Sequence, residues 1–335
     1  MSLKIAVYGY DTDLGKLVFE TMEEQGVEVS DLFPLSPLSG EYDAVTLHGE
    51  NYMVRAADEF DFSDADAAIF LTTPDESSRL CRAAAAKGCA VIDVSGLYSD
   101  DEKIPLIIPE INPYEIKNVA QSRIVIPAAS SAGMLALCLQ PLADAFGLDR
   151  TIATVMESVS GQGRLGTETL AHETVRLLNG LDGDHEGFDA QVAFNLHTRI
   201  GSVEDNGYSE HENTITGQLR RVLGSSAGGI DLTAVQVPVF YGHTVSVHVD
   251  LKQSVSPEEF KKELSECSWL KLCDDKNMIT PVTDAVMERN VLVSRIRRDG
   301  RSGKSFSFIC MMDNTRRGEA VSVVEIVKLL EKELS

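Results

Sequence analysis

The chain has 335 residues, of which 43% are hydrophobic and 6% aromatic, as in ordinary soluble globular proteins. Acidic residues outnumber basic ones by 52 to 30, which gives a formal net charge of −22 at pH 7. A charge of this sign repels nucleic acid and anionic membranes, so it argues against both as partners. The length favours two domains over one.

The six cysteines and the N-terminus predict the cellular compartment. No two cysteines have the CxxC spacing of a metal site, and several lie in apolar stretches, so we predict buried thiols and no bound metal. The first residues lead directly into a strand, without the apolar region of a signal peptide. No run of 18 apolar residues occurs. We therefore expect a cytoplasmic protein.

Strands and helices alternate in the first part of the chain. The run Lys4–Tyr8 predicts a buried strand that ends at Gly9 and leads into a helix. Further strands are predicted at 27–35, 67–71 and 90–94, a hairpin at 45–54 and a helix at 77–86. This alternation predicts a doubly wound parallel sheet.

The turn after the first strand has the spacing of a dinucleotide-binding loop. Gly9 and Gly15 occupy two of its glycine positions, but Thr12 occupies the middle one, where glycine lets the backbone approach a pyrophosphate. Asp11 and Asp13 would repel a phosphate group. The motif predicts either a weakened cofactor site or a strand–helix turn that binds nothing.

A second turn, between Arg123 and Met134, has the pattern of an active site. The β-branched run Ile124–Ile126 ends at Pro127, and a pair of serines then opens an apolar helix. α/β enzymes place a nucleophile or an anion at such a strand-to-helix turn. Two alanines stand where a reactive side chain is expected.

The remainder of the chain favours long strands with few helices. Strands are predicted at 151–159, 232–240, 244–251, 291–296 and 306–311, and basic residues at 297–304 form a predicted hairpin tip. Helices are predicted at 167–178, 218–223 and 321–334, with a capping box at 256–259. We predict an α+β domain with a mostly antiparallel sheet.

Seven motifs in order along nearly the whole chain resemble those of the aspartate-semialdehyde dehydrogenase family. They are Gly9…Gly15, Val91-Ile-Asp93, Pro105 to Pro113, Ser158-Val-Ser-Gly-Gln-Gly163, Ala193-Phe-Asn195, Pro238 to His243, and Asp313-Asn314-x-Arg316-x-Gly318. The resemblance implies a Rossmann-like NAD(P)-binding domain formed by residues 1–128 and 315–335. It also implies a catalytic and dimerisation domain at 129–314, and a homodimer.

The resemblance further implies a reaction and the positions that perform it. In that family a cysteine thiolate attacks the aldehyde, a histidine acts as acid and base, hydride passes to NADP, and phosphate releases an acyl phosphate. The family's nucleophile position falls on Ala129, which has no reactive group. Its histidine is retained as His243.

The family's binding positions are substituted as well. Its glutamine falls on Glu157, and its substrate-carboxylate arginine falls on Gln236, a neutral amide that holds a carboxylate less well. Its phosphate-binding arginine falls on Ser99, and its substrate-loop lysine on Thr214. The resemblance places cofactor contacts at Gly9, Thr12, Asp13, Leu14, Gly15, Thr72 and Asn314. No arginine follows the second strand, within residues 35–39, to hold a 2′-phosphate, so binding of NAD or NADP is expected to be weakened.

These substitutions are similar to those of the Usg branch of the family, whose members usually lack the cysteine. We therefore predict a homodimer that keeps the fold without the standard reaction, and that binds an unidentified protein or small molecule. An altered enzyme is the first alternative, with Ser130 or Ser131 as nucleophile and His243 or Glu157 as base, although helix N-capping also explains both serines.

A standard dehydrogenase that uses Cys138 is the second alternative. That thiol lies about two turns into its helix, roughly 10 Å from the N-terminus, which disfavours it as the nucleophile.

Overall fold

A computed structural model describes residues 2–37, 43–299 and 303–334. Contacts between Cα atoms divide the chain into unit 1, Met1–Ala129 with Glu319–Ser335, and unit 2, Ser130–Gly318. Unit 1 is therefore discontinuous in the chain. Residues 38–39 of the run after the second strand, and residues 300–302 of the expected hairpin tip, lie outside the described residues.

Unit 1 is built on a seven-stranded sheet in which every pairing is parallel. Its strands are β1 (Leu3–Tyr8), β2 (Val29–Ser36), β5 (Arg55–Ala56), β6 (Ala67–Phe70), β7 (Ala90–Asp93), β8 (Leu106–Ile107) and β9 (Ile124–Pro127), and the hairpin of β3 (Ala44–Leu47) and β4 (Glu50–Met53) is separate. Its first helices are α1 (Asp13–Glu24), α2 (Pro74–Ala86) and α3 (Val119–Ser122). The order β5-β2-β1-β6-β7-β9-β8 reverses direction at β1, which confirms the predicted doubly wound topology.

Unit 2 is built on a six-stranded mixed sheet in the order β11-β10-β12-β15-β14-β13. Its strands are β10 (Leu148–Glu157), β11 (Gly229–Gln236), β12 (His243–Leu251), β13 (Leu270–Leu272), β14 (Val291–Arg298) and β15 (Ser305–Met312). Three of the five pairings are antiparallel, and β10–β11 and β13–β14 are parallel. Its helices are α4 (Ser130–Phe146), α5 (Gly163–Leu178), α6 (Glu210–Leu223) and α7 (Pro257–Ser265).

The predicted strand at 232–240 is wrong in its last part, because β11 ends at Gln236. The segment after it turns away and bonds to the residues that follow β10: Val159 N donates to Val239 O, and Ser160 N donates to Phe240 O. The predicted strand at 151–159 likewise ends earlier, at Glu157, and a short 3₁₀ helix begins at Val159. Because β10 and β11 are parallel, their last residues, Glu157 and Gln236, lie side by side.

Helix α4 contains a proline, and the structure compensates for it. Pro141 has no N–H to donate to the carbonyl of Leu137, four residues earlier. The indole N–H of Trp269 donates to that carbonyl instead, at 3.1 Å. The side chain thus replaces a missing backbone hydrogen bond in the most buried helix of unit 2.

The last helix, α8 (Val321–Leu334), belongs to unit 1. It buries five apolar side chains in the core of that unit: Val323, Val324, Ile326, Val327 and Leu330. Apolar residues at this spacing lie on one face of a helix, as the sequence predicts. In the ranges that the structure describes, no helix is both long and apolar enough to cross a bilayer.

Candidate functional site

A buried carboxylate at the end of β10 is the centre of the site in unit 2. Glu157 is 5% exposed, and the hydroxyl of Ser131, in the first turn of α4, donates to its Oε1. The Nε2 atom of His211, in the first turn of α6, lies 2.8 Å from the same Oε1. Two helix N-termini thus each supply one side chain to one carboxylate oxygen.

The retained histidine lies on the other side of the carboxylate. His243 begins β12 and is 1% exposed. Its Nδ1 accepts a hydrogen bond from the backbone N–H of Ser158 at 3.1 Å, and its Nε2 lies 3.9 Å from Glu157 Oε2. The preceding Gly242 has φ +92°, and a Cβ there would stand 2.9 Å from the Cβ of Pro281, so this turn requires glycine.

The charges in this cluster follow from burial and proximity. Burial alone would raise the pKa of Glu157, but the neighbouring charge and hydrogen bond of His211 outweigh it and lower the pKa to about 2. Burial would lower the pKa of His211, but the Glu157 carboxylate raises it. Burial lowers the pKa of His243. The carboxylate thus favours the charged form of His211, and burial favours the neutral form of His243.

Asn314 lies beside His243 with one polar atom unused. Its Oδ1 accepts hydrogen bonds from Ser158 Oγ at 3.1 Å, Ser160 Oγ at 3.0 Å and Gly242 N at 3.1 Å. Its Nδ2 is buried and has no hydrogen-bond partner among the residues that the structure describes. An unpaired buried donor costs free energy, so this amide is a candidate ligand contact.

Of the two substituted substrate positions in unit 2, one contacts Glu157 and the other lies on the helix that carries His211. Gln236, at the end of β11, donates from Nε2 to the backbone carbonyl of Glu157 at 2.6 Å, so its amide ties two neighbouring strands together. Thr214 lies on α6, three residues after His211 and therefore on a similar face of that helix.

The predicted cofactor turn of unit 1 is closed on itself. The hydroxyl of Thr12 donates to Gly9 O at 2.7 Å and accepts from Gly15 N at 2.9 Å. A Cβ on Gly15 would stand 2.3 Å from Gly9 O, and one on Gly9 would stand 2.8 Å from Cγ2 of Thr72. Both glycines are therefore required by the packing of the turn itself.

This turn does not fit the pyrophosphate of a dinucleotide. Thr12 occupies the middle position and uses the Gly15 N–H, one of the backbone donors at the start of α1. Asp13, with Leu14 in the first turn of α1, is exposed, and two further acids, Asp75 and Glu76, begin α2. Their negative charge opposes a phosphate group at either helix N-terminus.

The remaining predicted positions lie at the ends of strands in unit 1. Ala129 follows β9, in the turn that the sequence predicts. Ser99 lies in a turn after β7, where its N–H donates to Gly96 O at 3.1 Å.

Five of the six cysteines have a thiol pKa that their surroundings raise. A hydrogen bond with Cys310 and burial raise the pKa of Cys138, which is fully buried in α4. Burial also raises the pKa of Cys81, of Cys89 to about 12, and of Cys267 and Cys273. No group of side chains able to hold a metal ion occurs within the described ranges.

Two residues of the cluster were missed by sequence reasoning. His211 could have been found from the capping box Ser209-x-x-Glu212, which marks the start of α6 and places the histidine in its first turn. Ser158 gave no signal beyond its motif, although both its backbone N–H and its hydroxyl lie against His243 Nδ1.

The comparisons agree with this architecture over the whole chain. Residues 5–119 match the family model described as "Semialdehyde dehydrogenase, NAD binding domain", and residues 139–317 match "Semialdehyde dehydrogenase, dimerisation domain". Aspartate-semialdehyde dehydrogenase 2 of Vibrio cholerae is 31% identical, over 98% of each chain.

Solved structures give the same result. The crystal structure of aspartate semialdehyde dehydrogenase II from Vibrio cholerae, complexed with ASA, has a TM-score of 0.94 at 30% identity and 99% coverage of each chain. A probable aspartate-semialdehyde dehydrogenase from Pseudomonas aeruginosa has a TM-score of 0.93 at 26% identity and 100% coverage of each chain. A Rossmann-like unit joined to a mixed-sheet dimerisation unit defines the semialdehyde dehydrogenase class. Within that class, the chain belongs to the aspartate-semialdehyde dehydrogenase family.

Proposed function

We propose that this protein keeps the family fold as a homodimer, does not perform the cysteine-dependent oxidation of aspartate semialdehyde, and belongs to the Usg-type branch that lacks the catalytic cysteine. The observation that carries the proposal is the state of the thiols. A thiol attacks an aldehyde as the thiolate, which requires a lowered pKa. In five of the six cysteines the pKa is raised, and Ala129 stands at the family's nucleophile position.

The binding groups support the same proposal. Gln236 presents an amide whose N–H is already bonded to the Glu157 carbonyl, so no guanidinium is available there for a substrate carboxylate. His211, whose pKa is raised, is paired with Glu157. A carboxylate substrate would therefore meet a fixed negative charge instead of a clamp.

The alternative with a serine nucleophile lacks the contact that it requires. Ser131 donates its hydroxyl to Glu157, and the hydroxyl beside His243 Nδ1, at 3.0 Å, is that of Ser158. With a pKa of about 2, Glu157 is a weak base toward an alcohol. The geometry therefore favours Ser131 as a support for the carboxylate.

An assay with aspartate semialdehyde, phosphate and NADP tests the proposal. The purified protein is expected to form no NADPH above the rate of an enzyme-free control, whereas the Vibrio cholerae enzyme serves as the positive control. The Ala129→Cys variant is expected to gain little, because the carboxylate clamp is also missing. Robust NADPH formation by the unmodified protein would contradict the proposal.

Calorimetric titration of the same preparation with NADP separates loss of cofactor binding from loss of chemistry. We propose that binding is weak, since the turn between Gly9 and Gly15 is closed by Thr12.

A further inference from the structure

We propose that a cavity at one edge of unit 2 binds the phosphate group of a small phosphorylated molecule. The cavity has a volume of about 430 Å³ and lies where α7, the residues after β13 and the middle of β14 meet. This volume is in the usual range for small-molecule sites. The inference is independent of the proposed function, because none of the residues that line this cavity belongs to the cluster around Glu157.

A β-bulge in β14 shapes one wall of the cavity. The register of β14 with β15 shifts between Ser294 and Arg297, which leaves Arg295 and Ile296 opposite a single residue of the partner strand. Arg295 has φ +57°, a left-handed conformation that is strained for any residue other than glycine. A bulge of this kind turns side chains out of the regular alternation of a strand. It therefore allows Ser294, Arg295 and Ile296 to line the same cavity.

Three basic side chains line the cavity, and the charged group of none of them forms an ion pair within the described ranges. They are Lys261 on α7, Lys276 after β13, and Arg295 in the bulge. Acidic residues outnumber basic ones by 52 to 30, and Lys262, the next residue on α7, pairs with Glu266 at 3.6 Å. Three unpaired cations around one cavity are placed to bind an anion.

The two acidic residues of the lining are held by backbone donors. Asp275 Oδ1 accepts a hydrogen bond from Arg295 N at 2.6 Å, and Asp274 Oδ1 accepts one from Lys276 N at 3.0 Å. Each carboxylate thus stabilises a turn of the wall. Their negative charge repels an extended polyanion, which restricts the site to a small ligand.

A buried hydroxyl adds a fourth donor. Ser294 lines the cavity and is only 6% exposed, and its hydroxyl has no hydrogen-bond partner in the part of the chain that the structure describes. A buried polar group without a partner costs free energy, and an acceptor oxygen of a ligand would satisfy it.

The chemistry of these donors selects phosphate. Ammonium and guanidinium groups donate hydrogen bonds and accept none, so the ligand must supply acceptor oxygens. A phosphate monoester carries a charge of about −1.5 to −2 at neutral pH and three acceptor oxygens, and arginine binds it through two parallel hydrogen bonds. It therefore gains more from three cations than a monocarboxylate does.

Calorimetric titration of the full chain with inorganic phosphate tests the inference, at low ionic strength and in a buffer without phosphate or sulfate. We expect saturable binding that is tighter than the binding of acetate. Arg295→Gly removes the guanidinium at a position whose φ favours glycine, so the fold is kept and the affinity is expected to fall by about tenfold. Lys276→Gln is expected to weaken binding in the same direction.

Lys332→Gln is the matched control, because it removes one positive charge at an exposed residue of α8 in unit 1 and should keep the wild-type affinity. Absence of phosphate binding in the wild type, or wild-type affinity in Arg295→Gly, overturns the inference. An equal loss in Lys332→Gln also overturns it, since net charge alone would then explain the binding. Acetate bound as tightly as phosphate overturns the ligand class. NADPH formation in the dehydrogenase assay would instead overturn the proposed function.

Discussion

Burial would lower the pKa of His211, but its acidic neighbours, chiefly the carboxylate of Glu157 at 2.8 Å, raise it above its ordinary value. The side chains are 26% and 7% exposed, so water screens the pair only partly. We predict that His211→Gln, which leaves the carboxylate without its cation, lowers the free energy of unfolding by about 3 kcal/mol. Urea denaturation near pH 6 measures the change, and His172→Gln, at an exposed residue of α5, is the control. If His211→Gln left the midpoint of urea denaturation unchanged, the His211–Glu157 pair would not stabilise the protein.

The loss of stability caused by His211→Gln depends on pH, and the sign of this dependence follows from the shifted pKa. The pKa of His211 is raised in the folded protein above its unfolded value of 6.5, so its contribution is fully present below about pH 6.5 and is lost as the pH rises through the raised pKa. The difference in stability between wild type and His211→Gln should therefore narrow as the pH rises above about 6.5. A difference that widens over this range would exclude the ion pair as its cause.

Single residues show how far a sequence can be used to predict a site. His243, Glu157 and Gln236 could be singled out because each stands in a motif with a known spacing. Their contacts could not, since Ser131, Glu157 and His211 are far apart in the chain and are brought together only by tertiary packing. Whether Glu157 is a base or half of an ion pair depends on such contacts.

At the scale of elements, the Leu137 carbonyl of helix α4 receives no hydrogen bond from Pro141 and accepts one from the indole of Trp269 instead. We predict that Trp269→Phe destabilises the protein by about 1–2 kcal/mol, because the Leu137 carbonyl then lacks a donor. In a Pro141→Ala background the helix supplies its own N–H, and the same change should cost less. Denaturation of the wild type, the two single variants and the double variant, followed by circular dichroism, gives the coupling energy between Trp269 and Pro141. Additive effects would show that the indole contributes only packing.

The elements themselves were largely predictable, and their errors have local causes. Helix α8 was predicted with its observed bounds, because its apolar residues repeat at helical spacing. The strand predicted at 232–240 was too long, because Val239 and Phe240 are apolar yet accept hydrogen bonds from the residues after β10 and not from a strand. The parallel pairing of β10 with β11 was not predictable, since it joins strands about 80 residues apart, whose pairing leaves no periodic signal.

At the scale of the whole molecule, unit 2 exposes apolar side chains that a monomer has no reason to display. On α5 and just after it, Val175 is 58%, Leu178 is 74% and Leu181 is 55% exposed. They lie within the residues that match the dimerisation model. We predict that the protein sediments as a dimer and that Leu178→Glu shifts it toward monomer. Met53→Glu, at a residue 54% exposed in unit 1, is the control. A dimer equally stable in both variants would place the interface elsewhere.

Helix α8 has a consequence for how the chain is made. It completes the core of unit 1, yet it follows all of unit 2 in the chain, so a ribosome finishes unit 2 before it supplies the last part of unit 1. The nascent N-terminal sheet must therefore remain with one apolar surface uncovered while about 190 further residues are translated, a period in which chaperones have access to it. Unit 2, which is continuous, has no such delay. The order of synthesis thus favours unit 2 as the first to fold, although unit 1 emerges first.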